Sequence, residues 1–181
     1  RSHGRYYGVD ALYVKSHGHG ESLIGGLWAM GVAAEILTFL LAPRWLRRYG
    51  PRRLMLVALA VAALRWSLLA FFAGSLPMLV LIQCLHMGSF GLYHAVGVFL
   101  INRVFLGRQQ GRGQALYSAA SFGAGGALGS LLGGVIWDHL PSEALFLFAA
   151  GSAIAGWLVA WRYLRGPALV RSGRPAAVVE T

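Results

Sequence analysis

The chain has 181 residues, 57% of them hydrophobic and only 12% charged, with a mean hydropathy of +0.60. Soluble domains carry about 25% charged residues, so this composition excludes an ordinary water-soluble globular fold. The formal charge of +10 does not mark a nucleic-acid binder, because the arginines gather at the ends of apolar runs and not along one polar face.

Six apolar runs predict an all-α, polytopic membrane protein. The first, at about residues 1–14, is too short to cross a bilayer and reads as the tail of a truncated helix. The chain opens RSHGRYYGVD, without Met and without a signal-peptide core, so it reads as a fragment. Residues 15–21 (KSHGHGE) form a loop in which His17 and His19 read as solvated side chains, not metal ligands.

Residues 22–41 make the first complete span. Ile24, Trp28, Gly31, Glu35 and Thr38 share one stripe, and the small Gly31 and Thr38 suit a close neighbour, so Glu35 is expected to face protein. Residues 42–53 (APRWLRRYGPRR) are expected to be a loop with five arginines. The next span, 54–73, carries Arg65 near its middle, at a cost of about 2.5–3.5 kcal/mol on insertion scales. A partner or a function must offset that cost. Glu35 is the first candidate and Asp10 the second; a purely structural ion pair is the plainer alternative.

After a turn at 74–77 comes the long span 76–102. It holds three polar side chains, Gln83, His86 and His94, within an arc of roughly 80° at 100° per residue. Lipid cannot satisfy their hydrogen bonds, so they are expected to face protein or a wet cavity. Either they line a solute path or they only tie helices together. Residues 107–113 (GRQQGRG) read as a basic loop. The span 115–137 is dense in small residues, with Gly125, Gly129 and Gly133 at the four-residue spacing that lets helices touch. Gln114, Tyr117 and Ser121 share a face at its start. A last span, 144–163, precedes a polar tail at 166–181 that reads as disordered.

Arginines recur at alternate connections: five after Leu41, three after Asn102 and four from Arg162 onward. The positive-inside rule makes that side cytoplasmic, the C-terminus included. Cys84 stands alone, so no internal disulfide is expected. No metal and no cofactor are expected. An intramembrane enzyme is disfavoured, because His86 and His94 lack the i, i+4 spacing of a metal pair and Ser89 lies on another side of the helix from His94.

The loop Arg48-Tyr49-Gly50-Pro51-Arg52-Arg53 resembles the Arg-x-Gly-x-Arg-Arg core that the major facilitator superfamily places between the second and third helices of each half. Pro43 and Arg47 depart from the motif's Gly and acidic positions. Longer segments are similar to the 3-phenylpropionic acid transporter branch of that superfamily. They are His3 with Tyr6-Tyr7-Gly8, Leu27-Trp28 through Val32-Ala33-Ala34-Glu35, Leu64-Arg65-Trp66, Gln83 to Phe90 with His94, and Gln114 to Ala119.

The resemblance covers residues 3 to 165. It implies the C-terminal six-helix half of a proton-coupled carrier in the inner membrane, whose other half lies upstream. On that reading Arg65 meets a substrate carboxylate, Gln83, Tyr7, His94 and Tyr117 help to bind the solute, and Glu35 and His86 carry the proton. The partners implied are a small aromatic carboxylic acid, protons and the bilayer. A non-transporting helical membrane protein or an inactive half-carrier is the main alternative.

Overall fold

A computed structural model describes residues 21–165 of the chain. Tyr7, Asp10, His17, His19, the partial span at 1–14 and the tail at 166–181 lie outside the described residues. Within them the fold is five helices long and apolar enough to cross a membrane, where the sequence suggested six runs with the partial one included. They are α1 (Glu21–Tyr49), α2 (Pro51–Phe72), α3 (Leu76–Val104), α4 (Gly107–His139) and α5 (Ser142–Tyr163).

The connections are shorter than expected. Residues 42–49 are helix, not loop: α1 runs through Pro43 to Tyr49. Arg and Leu favour helix, and a membrane helix tolerates an internal proline. Gly50, at φ 76°, ends α1, with its N–H donating to the Leu46 carbonyl at 3.1 Å. A positive φ of this kind is one that glycine, lacking a Cβ, adopts without strain. Pro51 then opens α2, where its missing N–H costs nothing.

Residues 107–113 are likewise helical, as the first turns of α4. Gly113 allows α4 to fold back on α3, since a Cβ there would come within 2.5 Å of the Phe105 ring.

The bundle is built around α2, which packs along α5 and against α3; α1 packs against α3 and touches α2. Two apolar clusters hold the ends. At the Arg-rich end Leu46, Leu54, Met55, Ala58, Leu92 and Val96 meet. At the opposite end Leu69, Ala70, Ala73, Leu79, Ile82 and Phe146 do so. Between them lie the buried polar side chains Thr38, Arg65 and Ser89. The bundle is thus apolar at both ends and polar at mid-height.

Large apolar side chains such as Leu40, Leu106 and Leu131 stand about 70% exposed. Acyl chains, not water, suit such an exterior. On α4, Gly113 and Gly133 are the buried residues. The expected close contact at the glycine repeat is met only at Gly133, against Leu145; around Gly129 no described atom comes within 4 Å of an added Cβ.

Candidate solute site

The polar layer centres on a break in the α-helical repeat of α3. Met87–Gly91 form a π-turn, and π-turns inside helices concentrate at functional sites. One extra residue per turn removes about 100° from the angular count. The roughly 80° that plain α periodicity puts between His86 and His94 shrinks to about 20°. The two imidazoles line up with Phe90 between them. His86 and Phe90 stack at 5.5 Å and 3°, and Phe90 and His94 at 6.2 Å and 4°.

Glycines make the turn fit its neighbours. A Cβ at Gly88 would touch Val61 of α2 at 3.3 Å, and one at Gly91 would touch Thr38 of α1 at 3.3 Å. The π-turn's Met87 carbonyl accepts from the Leu92 N–H and, at 3.5 Å, from the Thr38 hydroxyl. The same Thr38 proton is shared with the nearer Ala34 carbonyl, at 3.1 Å.

One turn along α1, His86 Nε2 donates to Glu35 Oε1 at 2.8 Å. Among the described residues Glu35 pairs with His86, and the expected Glu35–Arg65 ion pair is not found among them. The reason is register. Gly31, Glu35 and Thr38 all turn toward α3, and a Cβ at Gly31 would lie 3.2 Å from Gln83 Oε1 and 3.7 Å from His86. The side chains of Ile24 and Trp28, the rest of that stripe, lie outside the described part.

Arg65 sits on α2 across the turn from α1. It is buried, with its guanidinium 4.0 Å over the Trp66 ring, which stacks on Phe146. Val61 meets Gly88 on the antiparallel α3, so Arg65, one turn further, reaches the depth of Gln83 and Cys84.

The second half of the site comes from α4. Tyr117 and His94 Nδ1 share a hydrogen bond of 3.3 Å. Tyr117 gets there because Gly97 leaves room: a Cβ at 97 would stand 2.7 Å from the phenol oxygen. A second π-turn, Ala119–Ala124, follows and carries Phe122 to 5.7 Å from His94. Phe39 of α1 approaches His94 edge-on at 6.0 Å. Phe39, Phe90 and Phe122 are between 39% and 49% exposed, so the ring cluster has an open face. Gln114 sits apart, donating to Asn102 at 3.0 Å.

Of the sequence-predicted residues, Glu35, His86 and Gln83 come together, His94 and Tyr117 form a neighbouring pair through Phe90, and Arg65 lies at their depth. Tyr7 is outside the described residues. Sequence reasoning passed over Phe39, Phe90, Phe122 and Gly97. Phe90 was legible, being four residues from each histidine. Phe122 was not, because only the π-turn aims it.

A membrane-embedded bundle with a polar, aromatic layer at mid-height has the build of a solute carrier. Residues 1–148 match the profile of the MFS_1 like family, and the chain belongs to that family of transporters. Its relatives are transporters, not enzymes. It is 30% identical over 148 residues to the Probable 3-phenylpropionic acid transporter of Escherichia coli (strain K12), and 28% identical over 153 residues to Sugar efflux transporter A of the same organism. Each match takes in 82% of this chain and 38% of the relative, so the chain spans less than two-fifths of the relatives' length. No solved structure matches significantly.

Proposed function

We propose that the chain forms one half of a proton-coupled symporter for a small aromatic carboxylic acid, in the inner membrane with its C-terminus cytoplasmic and its opposite wall supplied by an upstream half. The observation that carries this reading is the hydrogen-bonded Glu35–His86 pair joined, through one continuous ring column, to an open aromatic face at His94.

The chemistry follows from charge. Arg65 is a fixed cation whose planar fork suits a carboxylate. Glu35 is an anion at the same level, so a carboxylate substrate is repelled by it and drawn by Arg65. A proton taken up by the Glu35–His86 pair removes one negative charge from the layer. At the low effective dielectric of a bilayer such a change is felt strongly. Proton and anion then favour each other's binding, and by linkage the help is reciprocal. The rings of Phe39, Phe90 and Phe122 offer stacking partners to an aromatic substrate, and Tyr117 and Gln83 offer hydrogen bonds. Tyr7 takes its place here on the resemblance alone.

The test is uptake of labelled 3-phenylpropionate by cells expressing the full-length protein, with and without a proton gradient. Gradient-driven uptake that loses its gradient dependence in Glu35→Gln and His86→Ala supports the reading. Uptake unchanged by both substitutions removes the pair from coupling. Competition by sugars but not by carboxylates replaces the acid as substrate.

A further inference from the structure

At the Arg-rich end of the bundle two guanidinium groups converge on one backbone oxygen. Arg52 Nη2, at the start of α2, donates to the Trp161 carbonyl at 3.3 Å, and Arg165 Nε, just past α5, donates to the same carbonyl at 3.0 Å. Arg165 also lies 4.3 Å over the Trp161 ring, which stacks on Trp157. A single carbonyl accepting from two cations leaves most of their positive charge unopposed.

No described carboxylate stands near. Glu35 is at mid-height, while Asp138 and Glu143 belong to the opposite end. Every described arginine except Arg65 is at this end. Moreover, the Arg52 Nε is buried and makes no hydrogen bond among the described residues. Two guanidiniums that share one neutral acceptor and face no described carboxylate call for an anion from outside the bundle, met by their outer donors.

The depth says which anion. Tryptophans at helix ends mark the headgroup level of a bilayer, and Trp161, on the last turns of α5, is 44% exposed. We propose that Arg52 and Arg165, seated on Trp161, form a site for the phosphodiester of an anionic phospholipid headgroup. The free donors of both guanidiniums reach the phosphate oxygens, while the exposed indole lies along the first acyl carbons. The site ties the start of α2 to the end of α5, the pair that packs along its whole length. It is independent of the solute site.

The test uses the purified full-length protein in neutral detergent. Phosphatidylglycerol, phosphatidylcholine and inorganic phosphate are titrated separately, with thermal stability and lipid retention in native mass spectrometry as readouts. Phosphatidylglycerol is expected to raise the melting temperature saturably and to be retained, and the other two are not. Arg52→Gln and Arg165→Gln each weaken its apparent affinity about fivefold, as expected for ~1 kcal/mol per arginine at a membrane surface. Arg53→Gln, on the same end, changes it less than twofold. Where a glutamine variant fails to fold, Arg52→Lys and Arg165→Lys, which keep the charge and lose the fork, take its place with a smaller loss of the same kind. Equal responses to phosphatidylglycerol and phosphatidylcholine overturn the proposal. So does an Arg53→Gln effect matching the other two. Inorganic phosphate acting as well as the lipid on the same residues replaces a lipid site by a free-anion site.

Discussion

Along the faces of α3, an added Cβ would come within 3.2 Å of Gln83 at Gly31, 3.3 Å of Thr38 at Gly91 and 2.7 Å of Tyr117 at Gly97. Along α4, a Cβ at Gly123, Gly126, Gly129 or Gly134 would meet no described atom within 4 Å. The same residue serves two ends. Around α3 the missing side chain is filled by a partner's functional group, and the glycine sets where that group sits. On α4 nothing described occupies the space, so those glycines leave a smooth face. Glycine density in a membrane helix is therefore a poor guide to where a site lies; which atom fills the gap decides.

The contrast can be broken by filling the gaps. Gly97→Leu should have the largest effect. Its side chain takes the position of the Tyr117 phenol, and overpacking of this kind costs about 1–3 kcal/mol or more. Uptake should fall about tenfold or beyond, with a lower melting temperature. Glu35→Gln comes next. It keeps the shape of the seam but removes the charge that a proton would neutralise, so gradient-driven accumulation should fall about tenfold while exchange of substrate across the membrane persists. Counterflow against net uptake measures the difference.

Smaller effects sharpen the picture. Tyr117→Phe keeps the ring and loses the hydrogen bond to His94, for which ~0.6 kcal/mol is typical between membrane helices. Uptake should drop about two- to threefold. Thr38→Val removes the hydroxyl that caps the π-turn and should cost about 0.5–1.5 kcal/mol in thermal unfolding. Gly129→Leu should shift stability by no more than about 0.5 kcal/mol. A large destabilisation there would show that the smooth face of α4 is packed against protein in the full-length molecule.

Much of the architecture was readable in the residues. Apolar run lengths and the alternation of arginines marked the spans, because insertion energies depend on composition along the chain. The stripe Gly31–Glu35–Thr38 was readable for the same reason that it works: plain α periodicity holds through that part of α1. The connections were harder. Arginines around Pro43 look like a loop, yet the helix continues, since long basic side chains at a bilayer edge reach the interface from a helix as well as from a loop.

The chain by itself determined that polar groups sit mid-span and must face one another, since hydrocarbon offers them no hydrogen bonds. Only the tertiary structure decided which groups pair. The π-turn at Met87–Gly91 rotates the second half of α3 and brings His94 into line with His86, while the register of α1 against α3 sets Glu35 opposite His86. A rotation of that kind depends on glycines wedged between α1 and α2, and contacts between distant segments carry no signature in local periodicity.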